Sequence, residues 1–237
     1  MSSRSISVGI SHPFDCSYIE GLKEQLLIIQ EPQLDSALFE QLLGMGFRRN
    51  GNSIYKPRCP SCSACQSIRV VVPEFTISKR QKRTLKNNQD LHWKVTTHVT
   101  DAHYALYEKY IIGRHSDGPM YPPSEDQFND FLLCDWLEAT YIEVYQQDKL
   151  IGVAVTDKMN NSLSAIYSYF DPDYAKRSLG VYMILVQCQL AQQLGKQFLY
   201  LGYQIDENRK MNYKRLYRPY QILTANGWQY IEKEHSL

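Results

Sequence analysis

The 237-residue sequence predicts an α/β (α+β) fold: a mixed sheet with flanking helices in the C-terminal part, and a smaller cysteine-containing α+β part at the N-terminus packed against it. Three observations carry this. Residues 140–170 read as three strands joined by tight turns, and one helix and one further strand follow. Cys59, Cys62 and Cys65 stand at equal spacing between a hairpin signal and a β-branched run. A composition of 43% hydrophobic and 12% aromatic residues is that of a folded chain. At this length one large domain or two small ones can bury a core, and the boundary is expected between residues 97 and 98.

In chain order, the stretch 20–41 is acidic and Gln-rich, with a helix expected near Asp35 to Leu43 stopped by Gly44 and Gly46. Asn50-Gly51 between Phe47-Arg48-Arg49 and Ser53-Ile54-Tyr55 signals a hairpin. Ser67 to Val72 reads as a buried strand. Ser78 can cap a helix through KRQKRTLKNNQ, where Lys79, Lys82, Arg83 and Lys86 recur at three- and four-residue steps and so share one face. Tyr104, Tyr107 and Ile111 lie on one face of a helix ended by Gly113, a core stripe. Ser124 caps the next helix, with Gln127 at the capping-box position. Thr140 to Gln146, Leu150 to Thr156 and Leu163 to Phe170 are the antiparallel strands. AKRSLG opens a helix closed by Gly195, and FLYLGY is a strand that can lie parallel to the last of the three.

The net charge of +1 hides a strong segregation. Residues 48–94 hold 11 Lys and Arg against Glu74 and Asp90, and residues 176–218 hold 8 against Asp206 and Glu207, so the rest of the chain carries a surplus of 14 acids. That is the electrostatic footprint of a polyanion binder on a neutral protein. No apolar run approaches the roughly 20 residues of a membrane helix, and MSSRSISVGISH lacks the apolar core of an export signal. A cytoplasmic protein is expected, with its six cysteines reduced rather than paired.

The meander, helix and parallel strand resemble the N-acetyltransferase-like (GNAT-like) fold, with AKRSLG at its phosphate-cradling loop. GFRRNG, YKPRCPSCSACQSIRV, F-x-x-SKRQKR, GYQID and MNYKRLYRP together resemble the arginyl-tRNA–protein transferase family, most closely its short bacterial branch that transfers leucine, over residues 16 to about 228. The resemblance implies an acyltransferase of the N-degron pathway, taking leucine from leucyl-tRNA to the α-amine of proteins beginning with Asp or Glu. Its partners would be that tRNA and those proteins, with neither membrane nor DNA. Arginine transfer to the same acceptors is the sibling specificity. An acetyl-CoA-dependent acetyltransferase and a non-catalytic tRNA-binding module are more remote: KRSLGVY has only one of the glycines a CoA loop uses, and a mere binder leaves GYQID and MNYK without purpose. Where relatives often carry a cysteine after GYQIDE, this chain has Asn208.

Exchanging an ester for an amide needs no energy source and no cofactor for the transfer; the work is positioning, a neutral amine and a stabilised oxyanion. Tyr203, Gln204 and Asp206 are expected at the reacting centre: Asp206 accepts a proton, orients the amine or simply caps a helix, while Gln204 or Tyr203 donates to the oxyanion. Lys79, Lys82, Arg83, Lys86, Lys176, Arg177 and Lys214 are the tRNA-binding candidates. A carboxylate side chain calls for a guanidinium. Arg80 or Lys82 is expected to supply it, with Arg48 and Arg69 behind and Arg114-His115 as a further possibility. Cys59-x-x-Cys62-x-x-Cys65 starts like an iron–sulfur run but lacks its fourth cysteine. The family pattern places Cys16 beside it, so Cys16, Cys59, Cys62 and Cys65 either hold zinc or an iron–sulfur cluster or form a turn of reduced thiols.

Overall fold

The computed structural model describes residues 5–232. Its strands are β1 (Val8–Ile10), β2 (Phe14–Asp15), β3 (Lys23–Glu24), β4 (Leu26–Ile29), β5 (Arg48–Asn50), β6 (Ser53–Pro57), β7 (Gln66–Val71), β8 (Leu91–Thr96), β9 (Ala139–Gln146), β10 (Lys149–Lys158), β11 (Ser162–Phe170), β12 (Phe198–Gln204), β13 (Tyr220–Thr224) and β14 (Gly227–Ile231). Its α-helices are α1 (Ser36–Gly44), α2 (Lys79–Asn87), α3 (Asp101–Arg114), α4 (Glu125–Leu132) and α5 (Leu179–Gln193). An eight-stranded sheet runs β14-β13-β7-β12-β11-β10-β9-β8; beside it stand the four-stranded sheet β1-β4-β6-β5 and the pair β2-β3. Every neighbouring pair in the large sheet is antiparallel except β11 and β12.

That exception is the expected crossover: a meander, one helix and a parallel return, the GNAT-like arrangement. The sheet also crosses residue 97, because β7 lies inside it, third from one edge, and β8 forms the other edge. The two expected parts therefore share one sheet. The C-terminal hairpin β13-β14, not anticipated from the sequence, extends it on the far side of β7.

Two apolar layers cover the sheet. On one side α5, apolar nearly all round, buries Leu179, Met183, Leu185, Val186 and Ala191 against Ile68, Val70, Leu163, Leu199 and Leu201, with Leu85 of α2 alongside. On the other, α3 and α4 pack Tyr107, Ile111 and Phe128 against Tyr141, Val153, Val155 and Tyr169. Alternate residues of β10 divide between the layers, as a strand buried on both faces requires.

Local signals account for the helix starts. Asp35 accepts from the Leu38 N–H at α1, Ser78 and Gln81 form a reciprocal capping box at α2, and Ser124 accepts from Gln127 at α4. The hairpin turn is displaced by one residue: Asn50 pairs with Ser53, so Gly51-Asn52 makes the turn. Gly51 has φ +54, and a Cβ there would stand 2.0 Å from the Asp130 carbonyl oxygen, which requires glycine at that position.

Buried charge ties the small sheet to the large one. Arg49 Nε and Nη2 donate to Asp157 at 2.7 and 2.6 Å, both side chains are fully buried, and Arg49 also reaches the Leu132 carbonyl.

Candidate active site

The parallel pairing of β11 and β12 lasts only from Ser162–Phe198 to Ser164–Tyr200. Beyond it the strands part, and the parting leaves backbone groups that need partners. Arg48 supplies one. Its Nη2 donates to the Ala165 carbonyl at 2.9 Å and lies 3.4 Å from that of Ile166. The guanidinium passes over Gly202, where β12 breaks register with β7 and φ is +84; a Cβ there would fall 1.4 Å from Arg48 Nη1. The bulge and the missing side chain thus let an arginine enter the wedge.

A cavity of about 750 Å3 occupies this opening. Its wall combines Tyr110, Met120, Phe131, Tyr167, Phe170 and Ile184 with Arg48, Arg114, His115 and Lys214, and Arg49 borders it with its side chain buried against Asp157; among the described residues that line it there is no Asp or Glu. Ser178, Leu179 and Gly180 bring the start of α5 to the same wall. Ser178 is left-handed (φ 56, ψ 44) and its side chain makes no capping bond, so the first turn keeps backbone N–H groups for an anion.

Lys214 reaches the cavity from the 3-10 turn Asn212–Leu216 and donates through Nζ to the Tyr203 carbonyl. Burial chiefly, and the Arg48 charge next, lower its ammonium to about 7. His115, whose Nε2 is 3.2 Å from the Tyr110 hydroxyl, is also shifted down, by burial and then by Arg114.

The three side chains expected at the reacting centre are engaged elsewhere. The Tyr203 hydroxyl donates to the Gly46 carbonyl at 2.9 Å. Gln204 is fully buried and bonded to Gln66 across the β12–β7 ladder. Asp206 pairs with Arg215 at 2.5 Å with its side chain 62% exposed, and neither Gln204 nor Asp206 lines the cavity. Tyr203 still borders the cavity, whereas strand alternation and the turn after β12 place Gln204 and Asp206 outside its lining.

The clamp candidates divide in the same way. Arg48 and Arg114 line the cavity, whereas Arg80 and Lys82 sit exposed on α2. Arg69 lies outside the cavity's lining: its guanidinium is 3.6 Å from the Phe198 ring and 4.0 Å from that of Trp228, bonded to Gln221 and to the Tyr200 hydroxyl at 2.7 Å each. It serves packing on the face away from the opening. Sequence reasoning ranked Arg48 behind Arg80, although the Gly202-Tyr203 step at a strand end was a usable signal for a close approach.

Lys79, Lys82, Arg83 and Lys86 do form an exposed stripe on α2. Arg177, by contrast, is held by Asp90 in a bidentate pair at 2.8 and 2.9 Å, while Lys176 is exposed beside it. Asn88 donates to the Arg177 carbonyl and Gln81 to that of Leu216, so the two basic stretches of sequence abut.

Cys59, Cys62 and Cys65 line a second cavity of about 680 Å3, which shares Tyr203 with the first. Burial chiefly, with Cys59, Glu24, Cys16 and Cys62 nearby, pushes the Cys65 thiol up to about 12. Among the described residues no three His, Cys, Asp or Glu are placed to hold an ion, although Cys16, Cys59 and Cys62 are near enough to act on the Cys65 thiol. Iodoacetamide at pH 7.5 is expected to leave Cys65 and the buried Cys188 essentially unmodified in the native protein; peptide mass mapping reads this, and rapid labelling of Cys65 would contradict the burial.

A parted parallel strand pair walled by apolar side chains and cations forms a cleft with the charge to receive anionic groups. The model described as "Arginine-tRNA-protein transferase, C terminus" matches residues 102–224, and its N-terminal counterpart matches residues 14–83. The chain belongs to the arginine-tRNA–protein transferase family. It is similar to the aspartate/glutamate leucyltransferase of Shewanella oneidensis, 66% identical over 227 residues that cover 96% of this chain and 95% of that one. Aspartate/glutamate leucyltransferase of Aeromonas hydrophila subsp. hydrophila is 46% identical over 230 residues, 97% of each chain. Among solved structures, the crystal structure of FemX overlaps 86% of this chain and 81% of its own at a TM-score of 0.47 and 9% identity; the fold assignment rests on the strand order instead. No helix among the described residues is long and apolar enough to cross a membrane.

Proposed function

We propose that this protein transfers leucine from leucyl-tRNA to the α-amine of proteins beginning with Asp or Glu, in the cytoplasm, marking them for N-degron (N-end rule) degradation. One observation carries the reading: the cavity between β11 and β12 is walled by aromatic and aliphatic side chains and by cations, with no carboxylate among its described lining residues. An apolar wall suits a leucyl side chain. An arginyl group would bring a guanidinium into a site whose charged groups already share its sign, so leucine is favoured over arginine. Arg48 and Arg114 are the cations inside the cavity for the acceptor's carboxylate. The exposed stripe Lys79, Lys82, Arg83 and Lys86, with Lys176, suits the tRNA backbone.

The test is a filter assay with labelled leucyl-tRNA or arginyl-tRNA and peptides starting with Asp, Glu, Asn or Ala. Acid-insoluble leucine is expected with Asp and Glu. Asp should exceed Asn by roughly 10- to 100-fold, the value of one or two charge-assisted hydrogen bonds. Arginine transfer, or equal use of Ala, would overturn the reading.

A further inference from the structure

The transfer moves a proton from the attacking nitrogen to the leaving ribose oxygen, and a side chain placed between them speeds that movement. Asp206 is spent on Arg215, Gln204 on Gln66, and the Tyr203 hydroxyl on Gly46. No carboxylate stands among the described lining residues. Two lining side chains carry a nitrogen able to accept a proton: His115 at the end of α3, engaged with Tyr110, and Lys214, whose Nζ sits on the Tyr203 carbonyl where β11 and β12 have parted. Lys214 is thus held at the floor of the wedge, beside the Arg48 guanidinium.

We propose that Lys214 is the catalytic acid–base of the transfer, accepting the proton of the attacking α-amine and delivering it to the ribose oxygen. The acceptor enters as the free amine, its ammonium having released one proton to solvent. Its lone pair forms the C–N bond at the leucyl carbonyl carbon, and the carbonyl electrons move to oxygen. The nitrogen's surplus proton passes to neutral Lys214 Nζ. As the carbonyl reforms, the bond to the ribose oxygen breaks with its electron pair, and Nζ returns the proton to that oxygen. Lys214 ends neutral, as it began.

The surroundings fit this cycle. Burial first and Arg48 second bring the Lys214 ammonium to about 7, so both forms are populated at neutral pH; the Cys65 thiol, ahead of β7, acts in the opposite sense. An ordinary exposed lysine would be almost wholly protonated there and could not accept.

This inference rests on the leucyl-transfer reading, and the experiment separates the two. Steady-state transfer to an Asp-starting peptide is measured for the full-length protein, Lys214→Arg and Lys214→Ala, with leucyl-tRNA affinity and melting temperature as controls. Lys214→Arg is expected to lose kcat by at least about 100-fold, with KM for leucyl-tRNA within about threefold. Lys214→Ala should regain turnover with ethylamine, read as leucyl-peptide by mass so that leucyl-ethylamide is not counted. Should Lys214→Ala unfold, Lys214→Met keeps the buried stem. A phosphate or ribose contact predicts the reverse: Lys214→Arg keeps kcat, and Lys214→Ala raises KM. Either of those results overturns the assignment while leaving leucyl transfer standing. Absence of transfer by the unaltered protein removes the functional reading, and the role of Lys214 with it.

Discussion

Asp157→Ala is expected to lower the unfolding free energy by about 3–5 kcal/mol, the cost of stranding a buried charge without its partner. Arg49 and Asp157 are both fully buried and joined through two hydrogen bonds, and no water reaches the guanidinium that the substitution would abandon. The pair also joins β5 of the small sheet to β10 of the large one, so the loss falls on the packing of one part against the other. In urea the midpoint should drop by roughly 1–2 M with an unchanged slope. Replacing both partners with apolar residues of similar size should recover much of the loss, because the penalty lies in the stranded charge rather than in a missing attraction. A change below about 1 kcal/mol in Asp157→Ala would show that solvent enters the site.

Gly202→Ala is expected to abolish transfer and to cost stability as well. An L side chain at φ +84 costs about 1–3 kcal/mol in backbone strain alone. Its Cβ would take the place of the Arg48 guanidinium, and moving Arg48 strands the Ala165 carbonyl, worth about a further 1–3 kcal/mol. Activity should fall at least about 100-fold, because the cation that organises the wedge would be displaced from it. Leucyl-tRNA affinity, carried mainly by α2 in the proposed function, should change by less than about tenfold. Retention of full activity in Gly202→Ala would remove Arg48 from the site.

The elements that could be read from the sequence are those whose signals are local. Ser78 and Gln81 announce α2 within four residues, the meander announces itself through alternation and short turns, and the parallel return of β12 follows from the handedness of crossovers. The hairpin β13-β14 is equally local: Ala225-Asn226 makes the turn between Thr224 and Gly227, which pair across it. Other residues take their surroundings from distant segments. Arg49 reads as one more cation in a basic run, and only a partner 108 positions away makes it a core residue. Arg69 was expected to bind substrate for the same reason, since its Phe198 and Trp228 neighbours lie far along the chain. Lys214 owes its environment to a turn, a strand end and an arginine drawn from three separate segments. Chemistry of that kind has no short motif to betray it.

The seat of β7 between β12 and β13 has a consequence for synthesis. Residues 66–71 leave the ribosome early, yet the hydrogen-bonding edges on both their sides belong to segments beginning at 198 and 220. Until residues 198–224 clear the exit tunnel, that strand lacks its neighbours in the large sheet. The nascent molecule therefore carries two open ladders while residues 72–197 are made, and β7 closes into the sheet only after both of its partners have emerged.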